Sequence, residues 1–149
     1  MVAGRLGVPH HMQATEGWIT RGTIRAHTPA TQAEEQAYIG RPEPRHELFQ
    51  RARQILGFDF VAFDYGLDQR GRLVVWEANP YPHLHVPKGR LCYLAPAMDR
   101  TLAAVVHLYL ERAGVEIPRR LQDILFASDA VTCDPVEGAH GGPRASANA

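Results

Sequence analysis

The sequence predicts an α+β domain, an antiparallel sheet backed by helices, and three observations lead there. Two β-rich runs, residues 58–67 and 72–79, flank the polar stretch Asp68-Gln69-Arg70-Gly71. A Gly in a short polar connection between aromatic and β-branched runs marks a hairpin. Apolar residues recur at helical spacing over residues 44–56 and again over 96–112. The first 28 residues mix Gly, Val, Ile, Thr and Trp with no helical period, which reads as short strands. At 149 residues this is one domain, long enough to bury a real core.

In chain order, strands are expected at residues 5–8, 12–14 and 24–27, with turns at Gly17-Trp18 and Arg21-Gly22. Thr31 and Glu34 have the spacing of a capping box, giving a helix over residues 32–39 that stops at Gly40. A second helix follows the proline-bearing residues 41–44 and runs to Leu56. Leu48, Phe49, Ala52, Ile55 and Leu56 are its buried stripe and Gly57 its C-terminal cap. It delivers the chain into the strand that carries Asp64. After the hairpin, Pro80 and Pro82 rule out a central strand and make residues 80–85 a loop. The third helix spans residues 96–112 and ends at Gly114, with Leu102, Val105, Val106, Leu108, Tyr109 and Leu110 as its stripe. A fourth covers residues 118–126, with Pro in its first turn. Residues 1–126 form the lobe and 127–149, rich in Gly, Ala, Pro and Ser from Asp134 on, are expected to be a disordered tail.

Chemistry converges on the hairpin. Asp64 interrupts an apolar strand, and Glu77 and Asn79 sit two apart on the next one, so both point to the same face. Carboxylates are seldom placed in strand bodies without a partner. Two carboxylates and an amide oxygen, without Cys or His, suit Mg²⁺ (or Mn²⁺) rather than Zn²⁺. If Leu67 closes the loop opposite Arg72, paired positions sum to 139 and Asp64 lies opposite Val75. Glu77 is then its diagonal neighbour at roughly 7–8 Å. A three-residue loop with Gly71 as a bulge would shift the pairing by one and could separate the acids. Against the metal stands the plainer alternative of solvated acids on an open hairpin face. By strand alternation Trp76 points away from Glu77, into the core.

The run Asp64, Glu77, Asn79, Pro80 resembles the metal-binding hairpin of ATP-grasp enzymes. Leu56-Gly57-Phe58-Asp59-Phe60 ahead of the Asp and Gly71-Arg72-Leu73-Val74-Val75 ahead of the Glu strengthen the likeness. Looser similarity extends over residues 4–113, through Gly4-Arg5-Leu6, His10-His11-Met12, Trp18 and Glu34-Glu35-Gln36-Ala37-Tyr38. The resemblance implies the C-terminal catalytic lobe of that fold. It implies ATP and Mg²⁺ bound by Asp64, Glu77 and Asn79, and a carboxylate joined to an amine or thiol through an acylphosphate. It further implies that Arg5 and His11 face the nucleotide phosphates, and that His83 or His85 lines the substrate end of the cleft. Each of these four has the plainer alternative of a solvated edge or loop residue. The family contributes a lysine from upstream, whereas the one lysine here, Lys88, follows the hairpin. The expectation is therefore half of a fold: truncated, or working with a partner chain that carries the N-terminal half. The rival is a non-catalytic remnant that serves as an interaction or dimerisation domain.

Composition excludes other classes. Sixteen basic and sixteen acidic residues cancel, which gives no electrostatic reason to expect nucleic acid or an anionic membrane as partner. No apolar stretch approaches the ~20 residues needed to cross a bilayer, and no signal-like segment opens the chain. Cys92 and Cys133 have neither metal-ligand spacing nor disulfide-scaffold density, so a reduced cytoplasmic protein is expected. No Walker loop, GxGxxG or Gly-x-Ser-x-Gly occurs. His10-His11 with His83-x-His85 could hold zinc, but neither pair has a known zinc spacing.

Overall fold

The computed structural model describes residues 1–12, 28–84 and 86–135. Five antiparallel strands, β1 (Val2–Ala3), β2 (Leu6–Gly7), β3 (Phe60–Leu67), β4 (Leu73–Asn79) and β5 (Thr132–Cys133), form a single sheet in the spatial order β4-β3-β1-β2-β5. Four helices accompany it: α1 (Pro29–Ile39), α2 (His46–Leu56), α3 (Ala95–Arg112) and α4 (Arg119–Leu125), with a 3₁₀ turn over Gly89–Leu94 leading into α3. The fold is thus α+β, as the hydrophobic pattern implies. The strands expected over residues 13–14 and 24–27, both N-terminal turns, His85 and the tail from residue 136 lie outside the described residues.

Local chemistry explains the element ends, with some corrections. The first helix starts one turn earlier than its Thr-Glu spacing suggests. Thr28 is the N-cap, accepting from the Thr31 N–H, Thr31 Oγ1 accepts from the Thr28 N–H in return, and Pro29 fills the first helical position. Helix α2 ends at Gly57, whose φ of 71° is the left-handed cap that glycine adopts without strain. Its buried face differs from the expected one. Phe49 is covered, with His46 and Gln50 beside it, while Leu48, Ile55 and Leu56 are exposed. Strand β5 falls within residues 127–149 and corrects the expectation of a tail from 127: it pairs with β2 through Leu6↔Cys133 and Gly7↔Thr132.

The sheet is packed on both sides. Phe49 of α2 meets Val2 and Val61 on one face, and stacks on Phe63 with ring centroids 4.9 Å apart. On the other, Ala3, Leu6 and Val8 pack against Ala103, Ala104 and Leu108 of α3 and Leu125 of α4. The inner face of α3 also buries polar groups, so its expected stripe is rotated: Leu102, Val106 and Tyr109 are exposed. The Arg100 guanidinium donates to the Ile39 carbonyl at 3.0 Å, satisfying the C-terminal end of α1.

His107 is 5 % exposed, 3.8 Å from the Glu111 carboxylate and close enough to Arg5 to feel its charge. Burial lowers its pKa from the ordinary 6.5 by more than Glu111 raises it. The unfolded chain therefore takes up a proton where the folded one does not. The resulting stability is fully present above the unfolded value and is lost as pH falls below it. Denaturation midpoints measured from pH 8 down to pH 5 are expected to decline, with a shallower decline in His107→Gln. Equal slopes in the two proteins would remove His107 as a cause.

Candidate functional site

The hairpin register differs from the one expected and brings the acids closer. Leu67 pairs with Leu73, and the Asp68 carboxylate ties the loop by accepting from the N–H groups of Arg70 and Arg72 at 2.9 and 2.8 Å. Between Asp64 and Tyr65 the register slips, because Trp76 is an extra residue on β4. Asp64 then lies directly opposite Glu77, not Val75, and Asn79 lies opposite Ala62. Directly opposed residues share a face, so Asp64, Glu77 and Asn79 sit on one side of the ribbon. The bulge also corrects the expectation for Trp76. Its ring covers Gly66, where an added Cβ would meet Cη2 at 2.6 Å, and it stays 47 % exposed rather than entering the core.

Like charges directly opposite each other on a sheet repel. Both carboxylates are exposed, and neither makes a hydrogen bond or ion pair among the described residues. Asn79 Oδ1 accepts from the Tyr81 N–H at 2.8 Å, an Asx-type turn that fixes the amide and leaves the oxygen a second lone pair. Among the described residues no group of three or more His, Cys, Asp or Glu could hold a metal ion. The hairpin offers two carboxylates and an amide.

A cleft of about 680 Å³ adjoins the hairpin, where β3 runs past the end of β1. Asp64, Gly66 and Trp76 line it from the sheet, residues 7–12 from one side, and Tyr38 with Arg41 and residues 43–46 from the other. Its polar wall is a network that sequence reading passed over. Glu43 Oε1 accepts from the Arg45 N–H at 3.0 Å and from Arg45 Nη1 at 3.3 Å, its Oε2 accepts from the Tyr65 hydroxyl, and that hydroxyl lies 3.1 Å from that of Tyr38. Burial, then the bond to Glu43, holds the Tyr65 phenol well above the usual range, and burial does the same for Tyr38. Both remain neutral hydroxyls. The one signal available was Glu43 fenced by Pro42 and Pro44, an acid on a stiffened loop.

The other anticipated residues are scattered. Arg5 lies outside the cleft, paired with Glu111 at 2.8 Å and donating to Cys133 Sγ and the Asp134 carbonyl. His11 is exposed on the cleft wall, its ring edge-on to His10 at 5.1 Å. His83 is exposed in the loop after Asn79. Comparison with protein-family models, curated proteins and solved structures yields no match in any of the three.

Proposed function

We propose that the chain is the metal- and nucleotide-binding lobe of an ATP-dependent carboxylate–amine (or thiol) ligase of ATP-grasp type. Asp64, Glu77 and Asn79 hold Mg²⁺ at the mouth of the cleft. The observation that carries this reading is the directly opposed Asp64–Glu77 pair, two like charges that a cation would neutralise; the Met1 ammonium is close enough to Asp64 to feel its charge. The oxygen-only donor set fits Mg²⁺, which commonly takes one or two carboxylates and fills its remaining positions with water and phosphate oxygens. Bound there with ATP, it supplies charge neutralisation for the β- and γ-phosphates. The chain's own contribution is positional: the bulge at Trp76 sets the acids face to face, and the turn at Tyr81 orients the Asn79 amide. The cleft volume lies within the range of small-molecule sites. His11 on its wall is placed to meet a phosphate, whereas Arg5 is engaged elsewhere and is not assigned that role.

The reading carries a carboxylate substrate, a partner chain for the rest of the fold, and a cytoplasmic setting. In such a compartment the exposed free thiols of Cys92 and Cys133 stay reduced. Among the described residues no helix is long and apolar enough to cross a membrane. Isothermal titration with Mg–ATP tests the proposal. Binding is expected, with a gain in stability of about 2.7 kcal/mol at a hundredfold excess over Kd, and both are lost in the Asp64→Ala, Glu77→Ala double variant. Absence of binding, or binding unchanged in that variant, would overturn it.

A further inference from the structure

Over its middle turns helix α3 has no charged side. From Thr101 to Leu110 it reads TLAAVVHLYL, without Asp, Glu, Lys or Arg. Thr101 and His107 are buried on its inner face with Ala104 and Leu108. Facing away are Leu102, Val106 and Tyr109, at 42, 46 and 58 % exposure, and exposed Asp99 and Ala113 continue their line. These positions recur in steps of three and four, so they form one stripe. A helix that is apolar on every side is ordinarily a covered one. Helix α2 gives the contrast within the same chain. Its exposed Leu48, Ile55 and Leu56 are interleaved with exposed Glu47, Arg51 and Gln54, as on any solvated face.

We propose that this stripe binds a second copy of the chain, with the two α3 helices packed antiparallel across a two-fold axis. The stripe is complementary to itself. Asp99 is its one charged residue and the Tyr109 hydroxyl its one other polar group, and neither side chain has a partner among the described residues. One accepts and the other donates. An axis midway between them, level with Ala104, sets Asp99 against Tyr109 of the second copy. The same axis sets Leu102 against Val106, and Ala95 against Ala113, where small side chains let the two backbones approach. In such an isologous contact every pair occurs twice, so one arrangement satisfies both carboxylates and both hydroxyls. The apolar pairs fall in the middle, the part of an interface that excludes water best. One pair of helices about 27 Å long makes a small interface, which implies a reversible dimer. The proposal goes beyond the metal reading and stands without it.

Sedimentation equilibrium of the full chain tests this, and a monomer–dimer equilibrium in the micromolar range is expected. Val106→Glu brings two carboxylates together beside the axis and should raise the dimer Kd by about a hundredfold or more. Tyr109→Phe removes two hydrogen bonds to a charged acceptor and should raise it by about tenfold or more. Ile55→Glu, on the other side of the sheet and 77 % exposed, should dimerise as the wild type does. Val106 and Tyr109 are exposed in the single chain, so melting temperatures measured well below the dimer Kd should match the wild type in both variants. That match separates a lost contact from a lost fold. A chain that stays monomeric at millimolar concentration would overturn the proposal, as would a dimer that survives Val106→Glu or is lost equally in Ile55→Glu. A dimer indifferent to Tyr109→Phe would overturn the antiparallel pairing.

Discussion

Gly7→Ala is expected to destabilise the fold by about 2–3 kcal/mol, the cost of forcing volume into a packed site, with a fall in Tm of roughly 5–10 °C. A Cβ at this position would sit 2.1 Å from His46 Nδ1 and 2.7 Å from Cε1. The backbone at Gly7 is not in the left-handed region, so the penalty is steric and not conformational. His46 has no room to yield: it is 5 % exposed and its Nε2 lies 2.8 Å from Asp134 Oδ1. Displacing the ring breaks that contact, and with it one tie that holds the end of β5 to α2. A double-mutant cycle separates this cause from a general intolerance at Gly7. In a His46→Ala background the added methyl has space, and most of the penalty should vanish. A penalty of equal size in both backgrounds would show that the clash with His46 is not its source.

That clash also shows which features the sequence reveals and which it hides. The features that could be read are local: the polar loop between two β-rich runs, the glycine that ends α2, and the helices delivered by apolar spacing. What could not be read depends on partners distant in the chain. Leu48, Ile55 and Leu56 have the right spacing for a buried stripe, yet the neighbouring stripe of His46, Phe49 and Gln50 is the covered one. Periodicity alone does not choose between adjacent faces of a helix. Strand β5 is two residues long, below any recognisable pattern, and exists because β2 offers it an edge.

The hairpin site is a mixed case. That Glu77 and Asn79 share a face follows from alternation. That Asp64 faces Glu77 does not, because it depends on a bulge unmarked in the sequence around Trp76. The bulge becomes intelligible once Gly66 is seen under the indole: the missing side chain on β3 gives the ring a seat, and the extra residue on β4 brings it there. One inserted residue thus sets the acid pair and turns Trp76 outward.

Glu43→Ala is expected to cost about 2–4 kcal/mol, because hydrogen bonds to a charged group are worth more than neutral ones and their loss strands the donors. Three donors lose their acceptor together: the Arg45 N–H, Arg45 Nη1 and the Tyr65 hydroxyl. The Glu43 side chain is only 10 % exposed, which limits replacement by solvent. Tyr65→Phe removes a single donor and leaves Glu43 its two contacts with Arg45, so a smaller loss of about 1 kcal/mol is expected. Ultraviolet titration of the tyrosines supplies a second readout, one that reports directly on Tyr65. In the wild type Tyr65 should ionise later than an ordinary phenol, since both burial and Glu43 favour its neutral form. Without the carboxylate one of those causes is gone, and Tyr65 should titrate earlier. If Glu43→Ala and Tyr65→Phe prove equally destabilising and the titration is unchanged, the network is not what fixes residues 41–46 against β3. The wall of the cleft would then depend on Phe49 and its aromatic neighbours alone.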